Sequence, residues 1–239
     1  MPNYHLIDLG LVALATMVLP AYGLVSGRQL RLGARSQMKL VRRYWFTIGR
    51  GLLISALILV TWHWLGRPYA ALGLALPVNV PGQIGFGIDA LLGCAMAYEL
   101  WKLSPDKAAT ARARMNDIRM VPQSRAEFAI FPLLAIVASP TEELLFRGYL
   151  LWALAPVTGI WGAVAVSSIA FGLGHAYQGW VGILRTGLIG AAIAVAFVLT
   201  RSLWWLMLAH TMMNLFADLY ARKVLRFPSL APAVPAAGF

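Results

Sequence analysis

Two adjacent glutamates lie inside an apolar run, in Ser139-Pro140-Thr141-Glu142-Glu143-Leu144-Leu145-Phe146-Arg147-Gly148. A carboxylate within a hydrophobic segment is costly unless it faces other polar groups, so such residues point to a site. Successive helical residues diverge by about 100°, whereas residues four apart share a face. Glu143 and Arg147 can therefore pair along one side of a helix, leaving Glu142 aimed elsewhere without a local cation. Ser139, Pro140 and Glu142 also have the types expected at the N-cap, first and third positions of a helix that restarts here. On these residues alone both readings of Glu142 stand, a helix cap and a reactive group.

Two further polar groupings lie in apolar surroundings. Phe171-Gly172-Leu173-Gly174-His175 closes one run, and its glycines allow a neighbouring helix to approach closely. His210-Thr211-Met212-Met213-Asn214 lies inside another, with His210 and Asn214 on one face and Asp218 one turn on. A lone intramembrane histidine is more often a packing residue than a reactive one. Three separate helices that each bring polar groups into the membrane are better explained by one shared cavity. Glu142, Glu143, His175 and His210 are also possible zinc ligands. Against zinc, there is no H-E-x-x-H helix, and the residue one turn from His210 is Asn214, a poor ligand. Asp8, Arg50, His63, Asp89 and Glu99 lack such groupings and read as packing, interfacial or ion-paired residues.

The elements that must hold these groups are membrane helices. The chain has 239 residues, 60% of them hydrophobic and only 12% charged, where a soluble domain carries about 25% charge. About 20 mostly apolar residues cross a bilayer as a helix. Spans are expected at His5–Val25, Tyr44–Leu65, Gly82–Trp101, Glu127–Leu154, Pro156–Tyr177, Thr186–Thr200 and Leu203–Tyr220. The stretches Tyr69–Leu76 and Ala108–Met120 are amphipathic, and either could lie in the interface. Asp8 interrupts the first run, which argues against a cleavable signal peptide. Cys94, the one cysteine, rules out a disulfide framework and reads as a small buried apolar residue. Tyr44 and Trp45 follow a basic stretch and read as an interfacial belt.

The net charge of +11 could suggest nucleic acid, but the basic residues cluster in short connections between apolar runs. Arg28, Arg31, Arg35, Lys39, Arg42 and Arg43 fill one connection, and Lys102 to Arg125 holds six more. The chain end adds Arg222, Lys223 and Arg226, whereas the alternate connections hold only Arg67 and Arg201. With seven spans this predicts the N-terminus outside and the C-terminus in the cytoplasm. The expected architecture is one all-α domain over residues 1–239, a polytopic bundle of about seven transmembrane helices. The fourth, fifth and seventh spans should surround an intramembrane polar cavity. The tail after Phe227 is Ala/Pro-rich and expected to be poorly ordered.

Glu142-Glu143-x-x-x-Arg147, Phe171-x-x-x-His175 and His210-x-x-x-Asn214 resemble, in order and spacing, three motifs of one family. It is the CAAX-protease and bacteriocin-processing family of intramembrane endopeptidases, which includes type II CAAX prenyl endopeptidases and abortive-infection-type bacterial proteins. The similarity covers roughly Ala126 to Tyr220 and extends to the phrase Glu-Glu-x-x-Phe-Arg-Gly-Tyr-Leu. The resemblance implies that Glu142 is the general base that activates a water, helped by His175. It implies that His210 and Asn214 donate hydrogen bonds to the oxyanion formed at the scissile carbonyl. Glu143 and Arg147 would hold the fourth helix in place, with Phe171 in support. It implies an endopeptidase that needs no metal or other cofactor, and a membrane-associated peptide or protein substrate, prenylated or carrying a sorting signal. The lipid bilayer is its other partner, and nucleic acid is not one. Three other readings stay open: a zinc-dependent protease, a non-catalytic bacteriocin-immunity or scaffold protein on the same fold, and a small transporter.

Overall fold

In hydrocarbon every backbone N–H and C=O must find a partner within the chain, which leaves helices as the solution for runs this long and apolar. The computed structural model describes residues 4–32, 37–117 and 120–226, and among these the regular structure is entirely helical. Helix α1, residues 6–32, passes through a π-helical stretch at Leu14–Val18. Helix α2 is Gln37–Trp64. A 3₁₀ turn at Tyr69–Leu72 leads to α3, Val80–Trp101, whose first turn is capped by Asn79 accepting from the Gly82 N–H at 2.9 Å. Helix α4, Pro105–Asp117, is short and polar and corresponds to the second amphipathic stretch.

The motif-bearing half begins at a capping box, in which Ser124 accepts from the Glu127 N–H and Glu127 reaches back to the Ser124 N–H. The helix then runs through Arg125–Glu143, a π-helical stretch Leu144–Tyr149, and Leu150–Gly174. Gly159, at φ 72° and ψ 163°, interrupts it. The part before Gly159 is α5 and the part after it is α6. They form a hairpin: the Ser167 hydroxyl donates to the Phe146 carbonyl at 2.8 Å, across 21 residues of sequence. Helix α7 is Gly179–Thr200 and α8 is Trp204–Arg226. Seven long helices and one short one are thus present among the described residues, and α7 is longer than the expected Thr186–Thr200.

Several local expectations are corrected. No helix restarts at Ser139: it lies mid-helix and donates its hydroxyl to the Ala135 carbonyl, four residues back. Pro140 follows Pro132 inside the same helix. Pro132 has no N–H for the Phe128 carbonyl, and that carbonyl instead accepts from Arg222 of α8. Tyr44 is not interfacial but fully buried, donating to the Met120 carbonyl at 2.6 Å, while its neighbour Trp45 is exposed. Cys94 is exposed on the apolar surface of α3. The tail after Phe227, with Arg35 and Arg119, lies outside the described residues.

Among the described residues five stretches are long and apolar enough to cross a membrane: Leu6–Leu30, Lys39–Trp64, Val80–Trp101, Arg125–Gly174 and Ala176–Thr200. The fourth doubles back at Gly159, and α8 adds the helix that carries His210, Asp218 and a basic last turn. Exposed Leu, Ile, Val and Trp side chains cover the outside of these helices, the surface that lipid solvates. The chain is therefore a multi-pass membrane protein.

The two ends of the bundle differ in charge. At one end Arg43 donates to Ser26, Arg112 to the Val224 carbonyl and Lys223 to the Leu100 carbonyl, which gathers the basic connections together. At the other end Arg67 binds Asp8 through both terminal nitrogens, at 2.8 and 2.7 Å. Tyr149 donates to the same carboxylate at 2.9 Å, and the guanidinium lies over Trp152 and Trp62. The hydrogen bonds it donates to the Asp8 carboxylate hold the Arg67 guanidinium above its ordinary pKa. Asp8 is thus ion-paired, one of the three roles expected of it, and this cluster lies at the less basic end.

Candidate active site

The π-helical stretch follows directly on the paired glutamates, and such stretches are frequent at functional sites. Around it the two carboxylates separate completely. Glu143 has no exposed side-chain surface and pairs with Arg147, itself fully buried, at 3.0 Å. Glu142 leaves 24% of its side chain open and faces a cavity. The face assignment made from helical spacing therefore holds.

Glu143 does more than pair along its own helix. Its Oε1 also lies 2.8 Å from Nδ1 of His210 on α8. A carboxylate already bound to arginine accepts hydrogen bonds, so this contact places a proton on Nδ1. The other ring nitrogen, Nε2, then points towards Glu142, 3.9 Å from its Oε2. One turn further along α8, the Asn214 carboxamide donates to the Ser139 hydroxyl at 2.9 Å. An amide nitrogen carries two N–H groups, and among the described residues the second has no acceptor. Asp218, on the same face, turns to Arg222 at 2.7 Å and stays out of the site.

His175 ends α6 as its C-cap, with Nδ1 donating to the Phe171 carbonyl at 2.9 Å, which frees Nε2. Phe171 lies between the groups: the Arg147 guanidinium stacks over its ring at 4.2 Å, and the rings of His175 and His210 lie 4.6 and 6.1 Å away. Arg147 also donates to the Gly190 carbonyl of α7 at 3.2 Å. A Cβ at Gly190 would approach both Phe171 and Arg147, and one at Gly172 would lie 2.7 Å from the Ile183 carbonyl. These glycines let α7 close against α6 and hold the ring stack in place.

Glu142, His175, His210 and Asn214 all line one cavity of about 390 Å³. The wall is broader than the fourth, fifth and seventh spans expected to form it. Tyr22 and Ser26 of α1, Arg43 and Arg50 of α2, and Arg185 and Thr186 of α7 also face the space. Ser26, Arg43, Met120 and Val121 place the cavity's far part at the basic end of the bundle. The participation of α1 and α2 lay outside the three motifs. Arg50, expected to be a packing, interfacial or ion-paired residue, instead lines the cavity, a cation in mid-span that signals the share of α2. Gly23 and Gly27 signal that of α1, since a Cβ at either would strike the backbone of 173–177.

The remaining intramembrane ionisable residues stay outside the cavity. His63 and Glu99 are exposed on their helices. Asp89 is buried on α3, and neither carboxylate oxygen has a hydrogen-bond partner among the described residues. Among those residues no three His, Cys, Asp or Glu side chains come together as a metal ion needs.

Residues 124–216 match the family model described as type II CAAX prenyl endopeptidase Rce1-like. The match spans less than half of the chain, includes all seven motif residues from Glu142 to Asn214, and leaves out α1 to α4. It bears out the resemblance read from the three motifs. Comparison with curated proteins found no match, nor did comparison with solved structures.

Proposed function

We propose that the protein is an intramembrane endopeptidase that hydrolyses a peptide bond of a membrane-associated protein with a glutamate-activated water. The observation that carries this reading is the convergence of Glu142, His175, His210 and Asn214 on one cavity, within the stretch that matches the endopeptidase family.

In this mechanism a water lies against Glu142, with the unprotonated Nε2 of His175 as a second acceptor. Glu142 takes a proton from the water as its oxygen attacks the scissile carbonyl. The carbonyl oxygen becomes an oxyanion, and the free N–H of Asn214 donates to it. His210 donates through Nε2 only when its ring is doubly protonated, because Nδ1 already serves Glu143. Glu143, 2.8 Å away, is the counter-charge that this form needs, since Glu142 is neutral once it holds the proton of the water. The proton held by Glu142 passes to the leaving amine, and acid and amine products result. A membrane site of low dielectric makes each preorganised donor count for more than it would in water.

Asn214→Ala tests the donor role. Loss of one oxyanion donor costs about 10²–10³ in turnover, roughly 2.7–4 kcal/mol. The loss should fall on kcat with KM little changed, because the hydrogen bond is made in the transition state. An unchanged kcat would remove Asn214 from the mechanism. The same assay, run after exhaustive chelation, separates this reading from a zinc-dependent one: activity should persist, and its loss with restoration by zinc would favour the metal.

For the orientation, we propose that the basic end of the bundle faces the cytoplasm, with the N-terminus outside. The gathering of basic connections at one end supports it. A reporter fused at Phe239 should be cytoplasmic, and an external one would reverse the assignment.

A further inference from the structure

Helix α2 turns one face to the cavity. Arg43, Thr47, Arg50 and Ile54 all line it, at the spacing of a helical stripe. At Gly51 the backbone closes on α5, where an added Cβ would lie 2.7 Å from the Thr141 hydroxyl, next to Glu142. The stripe is thus fixed opposite the proposed reacting groups.

Its two arginines differ in what holds them. Arg43 donates to the Ser26 hydroxyl at 2.9 Å. Arg50 lies over the rings of Tyr22 and Phe46, 5.4 and 5.9 Å from their centroids. Among the described residues no hydrogen bond or ion pair engages its five N–H donors. Glu142 is the acidic group within its electrostatic reach, yet the two do not touch. Arg185 stands exposed where α7 borders the same space. Three guanidinium groups therefore face a cavity whose lining holds one carboxylate, Glu142. An intramembrane cation without an ion-pair partner is costly and marks a binding role. A guanidinium held by its flat face on aromatic rings leaves its edge free for two-point contact with a carboxylate.

We propose that Arg50, supported by Arg43, seats a carboxylate of the peptide substrate, side-chain or terminal, across the cavity from Glu142. This inference rests on the endopeptidase reading for its ligand but not for its test. Arg50 makes it a specificity determinant supplied by the part of the chain outside the matched stretch.

The test is equilibrium binding to the full chain in nanodiscs, with no cleavage step. N-palmitoyl-glycine is compared with N-palmitoyl-glycinamide for a terminal carboxylate. N-palmitoyl-glutamate amide is compared with N-palmitoyl-glutamine amide for a side-chain one. At least one acid should bind about tenfold tighter than its neutral partner, the scale of a charge-assisted hydrogen bond. Arg50→Gln should abolish that preference, and Arg50→Lys, which keeps the charge without the fork, should retain part of it. Elution as a single folded species qualifies each variant, and Arg50→Lys carries the comparison if Arg50→Gln fails to fold. Equal binding of acids and neutral partners, absence of binding, or a preference that survives Arg50→Gln each overturns the proposal. So does tighter binding of hexadecyl phosphate than of either acid, which would assign the seat to a lipid headgroup. A lost acid preference leaves the endopeptidase reading standing. An intact preference in a protein that cleaves nothing would leave a carboxylate-binding membrane protein without peptidase activity.

Discussion

Glu142→Gln should lower the rate of peptide cleavage about a thousandfold or more while leaving the folded protein as stable as before. General-base catalysis contributes roughly 10²–10⁴ in rate, and in the proposed mechanism the base also positions the attacking water. Glutamine keeps the shape of the side chain and cannot take the proton. The expectation of unchanged stability comes from the contacts. Glu142 approaches His210 only to 3.9 Å, too far for a hydrogen bond, and the side chain is partly open to the cavity. Its neutralisation therefore strands no buried partner. Turnover of a cleaved substrate, together with thermal unfolding of both proteins in the same detergent, checks both halves. Wild-type turnover by Glu142→Gln would contradict the role; loss of folding would make the residue structural.

Arg147→Met should have the opposite profile, a large loss of stability from a residue that touches no reacting atom. Glu143 and Arg147 are both fully buried, and breaking such a pair by removing one partner costs about 3–5 kcal/mol. Arg147 also stacks on Phe171 and donates to Gly190, so its loss loosens α6 and α7 together. Replacing both charges by apolar residues, Glu143→Leu with Arg147→Met, removes the stranded carboxylate and should recover part of the stability. Activity should not return, because His210 then loses the acceptor that fixes its Nδ1 proton and aims Nε2 at the cavity. Thermal unfolding of the three variants checks the first claim. A double variant less stable than Arg147→Met would show that the pair is net stabilising beyond its own rescue.

The sequence exposed the site more readily than the bundle around it, for physical reasons. In hydrocarbon an ionisable residue is conspicuous, so Glu142, Glu143, Arg147, His175 and His210 stood out from their neighbours. Helical spacing alone predicted the Glu143–Arg147 pair and the outward turn of Glu142, and both are present. It could not reveal that Glu143 reaches His210, a contact between residues 67 apart that depends on how α5 and α8 pack. Nor could it separate a helix cap from an uninterrupted helix at Ser139, because Ser and Pro at a kink resemble Ser and Pro at a start. Side-chain hydrogen bonding to the preceding turn settled that position. Tyr44 shows the same limit: its type and place after a basic stretch fit an interface, but its hydroxyl reaches Met120 inside the bundle. The share of α1 and α2 in the cavity depends on close approach at Gly23, Gly27 and Gly51. A glycine in a membrane helix permits such contact without naming its partner.

The most direct test of the proposed activity compares new peptide termini in membranes of the native host, expressing at matched levels either the wild type or Glu142→Gln. The account predicts termini that appear with the wild type and vanish with the variant, in proteins anchored to or inserted in the membrane. Identical sets of termini from the two would contradict it, and would favour a non-catalytic membrane protein on the same fold.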